Sequence, residues 1–354
     1  MRQRSKIFSD QGYCFLLSAG LPFVQNNPMK YLYVLLLALP ASLSAQDTLK
    51  AWSRYDFVAG EKIIFEDNFS GEKNAEFPSR WKLLSGNAEN ATFAGENVMS
   101  FVKQNSEVAP RMSVENYLPE IFTIEFDAYY YNKFNEAFIV KLGGGNNVSV
   151  RTVKTDMRTF TGSPSESNKT AGWHHIALSY NKGALKVYFD HDRVLNIPAL
   201  EGTPKNFSIQ AISGGAAKGS PSVLKNVRVA EGGVPLYDRL TTDGKVITRG
   251  ILFDSGKSTI KPESMGTLNE IAKMMKDHPE LKLSIEGHTD SDGDDASNLQ
   301  LSKDRAEAVK KTLIDLGIDG ARLTTNGFGE AKPLNNNQTP EDKANNRRVE
   351  FIRL

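Results

Sequence analysis

The residues best placed to do chemistry gather in the last third of the chain. Gly287-His288-Thr289-Asp290 is followed by Gly293, Asn298 and Leu301-Ser302-Lys303-Asp304-Arg305-Ala306. Further on stand Gly327-Phe328-Gly329-Glu330, Pro333 and Asn346-Arg347-Arg348-Val349-Glu350. Asp290, Asp292 and Asp294 have the spacing of a calcium loop. Such a loop needs glycine at its sixth position and glutamate at its twelfth, and here Asp295 and Leu301 occupy them. A solvated acidic loop is the expected reading. No Ser/His/Asp or Cys/His arrangement and no phosphate-binding glycine loop accompanies these residues. His288 is expected to fix its loop rather than to act as a base. Arg347 and Arg348 can either brace the last strand or reach a ligand. Five histidines and one cysteine leave little for a metal site, so neither metal nor cofactor is expected. A formal net charge of +1 gives no reason to expect nucleic acid.

The elements that must carry these residues follow from hydrophobic spacing. Val246–Phe253 reads as a strand. Over Lys261–His278, Met265, Leu268, Ile271, Ala272 and Met275 recur at helical spacing, with Pro262 in the first turn and Pro279 as the stop. Leu281–Glu286 alternates as a second strand. Ser302–Leu316 follows as a second helix, ending at Gly317. Leu323–Gly327 and Arg348–Arg353 complete a β-α-β-α-β-β order. This places Asp290 on a loop leaving a strand and Arg305 in the first turn of the next helix.

The preceding part has a different pattern. Ile121–Tyr131 alternates Phe122, Ile124, Phe126, Ala128 and Tyr130 against Thr123, Glu125 and Asp127, the period of a half-buried strand. His174–Tyr180, Leu185–Phe189 and Phe207–Ile212 add short strands, with Asn181-Lys182-Gly183 as a hairpin turn. The expected fold is therefore multi-domain, an N-terminal all-β antiparallel sandwich followed by a C-terminal α/β domain. Residues 46–60 form a short N-terminal segment, 61–231 the sandwich, 232–245 a linker and 246–354 the α/β domain with a complete core. Residues 29–45, MKYLYVLLLALPASLSA, have the basic, apolar and small-residue order of a secretory signal peptide, with 1–28 an upstream extension. The apolar run is too short for a permanent membrane helix. Cleavage after Ala45 takes Cys14 with it, and no later cysteine offers a site for lipid.

The motifs from Gly287 to Glu350 resemble the OmpA-like peptidoglycan-binding domain. The resemblance implies a non-catalytic domain that holds the diaminopimelate stem peptide of peptidoglycan. The ligand's zwitterionic centre would lie with its ammonium on Asp290 and its carboxylate on Arg305. Arginine suits that role because its planar fork takes a carboxylate bidentately, and a helix N-terminus adds amide donors for the same anion. Asn298 and Thr289 would support the pair, and Asp254 would stand at a strand end facing the same cleft. One departure is that Asp342-Lys343 stands where many members have Gly-Arg. Trp173-His174-His175-Ile176-Ala177-Leu178, with Leu185–Asp190, Asp67-Asn68-Phe69 and Phe77-Pro78, resembles the laminin-G/concanavalin type of sandwich. That family hosts glycosidases built on an E-x-D-x-x-E strand, with two carboxylates flanking the bond. Glu125-Phe126-Asp127 begins the pattern, but Tyr130 replaces the last glutamate. Recognition of a glycan or an envelope protein is the expectation, in the periplasm or at the outer membrane. An outer-membrane β-barrel is the alternative, and a polysaccharide-degrading enzyme is less expected.

N-terminal sequencing of protein from a native envelope fraction should begin at or near Gln46. A retained Met1 or Met29 would refute cleavage.

Overall fold

The computed structural model describes residue 52 and residues 55–354, apart from 133–135, 144–145, 151–159, 166–167, 213–219 and 233–235. The expected signal peptide, 29–45, lies outside the described residues. Leu43–Leu354 form one compact unit.

Fourteen strands come first among the described residues: β1 (Lys62–Asp67), β2 (Trp81–Ser85), β3 (Ala88–Phe93), β4 (Glu96–Phe101), β5 (Ser106–Pro110), β6 (Ile121–Tyr130), β7 (Ala137–Leu142), β8 (Asn146–Val150), β9 (Phe160–Gly162), β10 (Gly172–Asn181), β11 (Ala184–Phe189), β12 (Asp192–Ile197), β13 (Phe207–Ile212) and β14 (Ser222–Glu231). One sheet runs β12-β11-β10-β6-β14-β4-β3, with β1 also on β14, and the other runs β2-β5-β13-β7-β8-β9. All the pairs are antiparallel except β8 with β9. Among the described residues both sheets end in edge strands rather than closing on themselves, so the sandwich expectation holds and the barrel alternative does not. Phe122, Ile124, Phe126 and Tyr130 of β6 meet Trp81, Phe138 and Val140 in one core. Asp67 ties the opening motif to it: its carboxylate accepts from the Trp81 Nε1–H and the Phe69 amide, both at 2.8 Å.

The other face of β6 is buried too. Thr123 and Glu125 are as covered as the core residues beside them, although alternation alone assigns them to solvent. The cover is the C-terminal part of the chain. Ala177 of β10 and Tyr188 of β11 belong to its core cluster, together with Trp52, Tyr55 and Phe57.

That part comprises α1 (Leu236–Asp243), β15 (Lys245–Thr248), α2 (Met265–Asp277), β16 (Leu283–His288), α3 (Asp295–Asp315), β17 (Leu323–Gly327), α4 (Pro340–Asn346) and β18 (Arg348–Arg353). Its sheet runs β15-β18-β16-β17, with β16 and β17 parallel. The α/β class is as expected, with α1 and α4 added to the β-α-β-α-β-β order. α1 falls in the expected linker, where Leu236 and Leu240 are buried. α4 has no apolar repeat and is held by a Thr339/Asp342 capping box with Pro340 in its first turn. α3 starts seven residues before the expected Ser302, at the Asp294 cap whose side chain accepts from the Ser297 amide. Its first two turns bury only Asn298 and leave Leu299 exposed, which hides them from a hydrophobic-period reading. The first strand is also shorter than expected, since beyond Thr248 only a single bridge, Phe253 to Ile260, continues it.

The C-terminal core is completed by residues outside 246–354. Asn269 of α2 donates through Nδ2 to the carbonyls of Trp52 (3.3 Å) and Tyr55 (3.1 Å). The main chain of Phe57 lies where a β-carbon on Gly266 would be. Gly266→Ala should therefore push this segment off α2 and cost about 1–3 kcal/mol, as overpacking does. Urea unfolding should show a lower midpoint with an unchanged slope. A wild-type midpoint would mean the segment yields freely.

Candidate functional site

The packing of the two bodies leaves a cleft of about 700 Å³ between them. The C-terminal domain contributes Phe253, Thr289, Asp290, Asn298, Arg305 and Arg347, and the sandwich contributes Glu66, Glu125, Asp127, His175, Asn226 and Arg228.

Asp290 stands two residues past β16. This loop lies against α3 because Gly287 brings the strand onto the helix: a β-carbon there would strike the Ser302 carbonyl. Asp290 is buried. Its Oδ1 accepts from the Asp292 amide at 3.2 Å, and its Oδ2 from Arg347 Nη1 at 2.6 Å. Arg347 Nη2 reaches Glu66 Oε2 at 2.5 Å, and the other oxygen of Glu66 accepts from Arg228 Nε and Nη2 at 3.0 and 2.8 Å. Asp290, Arg347, Glu66 and Arg228 thus form one chain of alternating charge. Burial alone would raise the Glu66 carboxyl, but the two guanidiniums outweigh it and hold the group below its usual range.

Arg305 projects from the third turn of α3, not the first, because the helix begins earlier than its apolar residues suggest. No helix N-terminus therefore assists it. Its Nε donates to the Lys257 carbonyl at 3.0 Å, and the guanidinium lies over the Phe253 ring at 4.9 Å. Burial lowers its pKa and Arg347 lowers it further, while Asp290 works in the opposite sense. Asp290 and Arg305 share the cleft, and among the described residues no ion pair joins them.

The supporting residues divide. Thr289 lines the cleft, and its Oγ1 is buried without a hydrogen-bond partner. Asn298 also lines it but is committed to bracing, its Nδ2 donating to Glu330 Oε2 at 2.7 Å and to the Asp292 carbonyl at 3.1 Å. Asp254 is not at the cleft wall. Its backbone closes a turn with Thr259 and Lys257, and Phe253, Ser255 and Gly256 face the cleft in its place. The strand expected to carry Asp254 there stops at Thr248. Lys343, at the departure from the family pattern, pairs with Asp292 at 2.7 Å.

Arg348 braces the domain, bonding Glu350 Oε1 at 2.6 Å and the Lys332 carbonyl at 2.9 Å. His288 is buried against the Phe328 ring, with centroids 5.4 Å apart and planes 18° from parallel. Sequence reasoning missed the sandwich wall of the cleft. The polar side of β6 was its one readable signal, since Glu66 and Arg228 arrive there only through tertiary packing.

A β-sheet backed by α2 and α3, with a strand-end carboxylate and a helix arginine opening on one cleft, defines an OmpA-like α/β domain. Residues 252–347 match the model of the OmpA family, and this part of the chain is an OmpA-family domain. The chain is 37% identical over 127 residues to "Probable lipoprotein YiaD" of Escherichia coli (strain K12), a match covering 33% of this chain and 58% of that protein. It is 35% identical over 118 residues to "Peptidoglycan-binding protein ArfA" of Mycobacterium bovis, covering 33% of this chain and 36% of that protein. The crystal structure of the peptidoglycan-associated lipoprotein from Burkholderia pseudomallei matches at 30% identity and a TM-score of 0.29, over 34% of this chain and 100% of that one. The chain thus spans little more than half of the first relative and about a third of the second.

Burial, aided by the neighbouring Arg348, lowers His288 from its usual 6.5 to about 4. The unfolded chain therefore takes up this proton first as the pH falls. Stability should be lost from about pH 6.5 downward, the loss completing near pH 4. His288→Gln should flatten that part of the profile of urea midpoint against pH. Parallel profiles for the two proteins would refute the assignment.

Proposed function

We propose that this protein is a non-catalytic tether of the bacterial cell envelope that holds peptidoglycan in the cleft between its two bodies. The observation that carries the reading is the placement of Asp290 and Arg305. A carboxylate and a guanidinium line one cleft without pairing with each other, as a receptor for a ligand with an ammonium beside a carboxylate requires. Asp290 takes the ammonium of the diaminopimelate stem and Arg305 the carboxylate, with Thr289 Oγ1 as a further partner. Arg347, which pairs with Asp290, gives way on binding. The name of the mycobacterial relative supports the ligand class.

The chain reaches the periplasm or outer membrane through the signal at 29–45. The sandwich, of laminin-G/concanavalin type, recognises a glycan or an envelope protein. A non-enzymatic role is supported by Tyr130, which fills the position of the missing acid and is packed in the sandwich core.

Truncating one member of a buried, charge-assisted pair costs about 2–5 kcal/mol of binding. Asp290→Ala and Arg305→Ala should each abolish pull-down by purified sacculi while circular dichroism shows a folded protein. Arg305→Lys should fail nearly as badly, because an ammonium cannot reproduce the fork. Lys303→Ala, on the exposed side of α3, should bind normally. Folded alanine variants that still bind would overturn the clamp.

A further inference from the structure

The sandwich wall of the cleft holds a group of residues that peptidoglycan binding does not use. Glu125 and Asp127 on β6 point out of the sandwich core beside His175 on β10, their neighbour across the β6–β10 pair. The register of β10 separates the roles of its two adjacent histidines. His174 faces inward, its Nδ1 2.6 Å from Asp190 Oδ2 and its Nε2 3.0 Å from the Thr170 carbonyl, and serves the hairpin. His175 faces the cleft. Glu263, on a single 3-10 turn (Pro262–Ser264) of the C-terminal domain, meets it from the other side.

A ring nitrogen of His175 and one oxygen each of Asp127 and Glu263 lie within 4.8 Å of one another. Glu125 Oε2 is 3.5 Å from His175 Nε2, an ion-pair distance without a hydrogen bond. His175 is 7% exposed and Glu125 4%. Three atoms in this place are buried with no hydrogen-bond partner: His175 Nε2, Glu125 Oε1 and Glu263 Oε2. Buried polar atoms are rarely left so, and three in one spot, one from each residue, mark a place built for something else.

The fourth residue completes the logic. Asp127 Oδ1 is 2.9 Å from His175 Nδ1, and its Oδ2 accepts from Asn226 Nδ2 at 2.7 Å. Burial lowers the His175 pKa, but Asp127 and Glu125 outweigh it and raise the group well above its usual value. The place therefore draws a cation, and an ion that displaces the Nε2 proton finds Nδ1 held by Asp127. This is the carboxylate–histidine arrangement that orients an imidazole toward a metal ion. The nearby cations are engaged elsewhere, Arg228 on Glu66 and Lys225 on Glu96.

A second cluster among the described residues, Glu286, His288 and Glu350, makes the contrast. There Arg348 and Lys245 already hold Glu350, and burial, aided by Arg348, lowers the His288 pKa. A cation is not wanted at that place.

We propose that His175 and Glu263, with the carboxylates of Asp127 and Glu125 that flank the ring, hold one divalent transition-metal ion. An imidazole with carboxylates suits Zn²⁺ or Mn²⁺ better than Ca²⁺ or Mg²⁺, which prefer all-oxygen sites. The ion joins β6 and β10 of the sandwich to the Pro262–Ser264 turn, and so fastens the two bodies beside the cleft that Asp290 and Arg305 share.

The test is calorimetric titration of the full chain, stripped with EDTA and dialysed, with Zn²⁺, Mn²⁺, Ca²⁺ and Mg²⁺ in turn. One equivalent of Zn²⁺ or Mn²⁺ should bind, and the melting temperature should rise with it. Glu263→Gln keeps the shape of the side chain, and His175→Ala removes the ring. Each should weaken binding about tenfold or more. Asp127→Asn should weaken it less than His175→Ala does. Absence of binding heat and of any melting shift with all four ions would overturn the proposal. So would equal affinity in the wild type and the folded Glu263→Gln variant, or binding of Ca²⁺ or Mg²⁺ alone.

Discussion

Glu66 at the end of β1 is held by Arg228 of β14 on one side and by Arg347, just ahead of β18, on the other. A buried carboxylate is tolerable only when its lone pairs are taken up by fixed donors, because its lost hydration costs several kcal/mol otherwise. Here the donors come from both bodies of the molecule. The carboxylate is satisfied only while the OmpA-like domain stays against the sheet, and the docking of the two is written into its hydrogen bonds. Arg80 adds to the same joint by pairing with Glu341 of α4, and Asn345 exchanges hydrogen bonds with the backbone of Ile63.

Burial of the second face of β6 and β10 follows from this docking. A sheet in a sandwich ordinarily shows one face to water, and polar residues there need no partners. Once the OmpA-like domain covers that face, Thr123, Glu125, Asp127 and His175 must be satisfied inside the protein. Thr123 manages it by accepting from the Gly60 amide at 3.0 Å. Asp127 manages it with His175 and Asn226, whose donors hold its carboxyl below the usual range against the opposing effect of burial. The apolar edge of the same interface needs no such provision: Ala177 and Tyr188 pack on Tyr55, Phe57 and the helices behind them. The cleft lies where the interface is polar, because there close packing would strand charges.

The sequence makes legible what depends on short range. Four of the fourteen described sandwich strands (β6, β10, β11 and β13), the α2 repeat, the GHTD strand end and the class of each body are visible as periods and motifs. What escaped was set by capping or by tertiary cover. α4 is a capped helix with no apolar repeat, and the first two turns of α3 bury only Asn298, so Arg305 lies two turns further into its helix than the apolar spacing suggests. The strand expected to end beside Asp254 stops at Thr248, and the Phe253–Ile260 bridge marks how the chain turns there. The partner of Asp290 could not be read at all. Arg347 stands 57 residues away, and its reach to both Asp290 and Glu66 depends on a domain contact that no local pattern encodes.

The double grip of Arg347 bears on how a ligand would exchange into the cleft. A guanidinium bound by one carboxylate alone would be left buried and unpaired when that carboxylate turned to a ligand ammonium, a loss of the kind that costs several kcal/mol. Arg347 holds Asp290 through Nη1 and Glu66 through Nη2. Releasing Asp290 therefore leaves it with Glu66, and its partly exposed side chain lets water take up the freed donors. Arg305 has no comparable carboxylate to give up, being held by one carbonyl and the face of Phe253. In the proposed clamp, a zwitterionic ligand would find an acid whose present partner can let go, and a base that is positioned but not neutralised. Both conditions are set by the sandwich as much as by the OmpA-like fold, because Glu66 is the sandwich's residue.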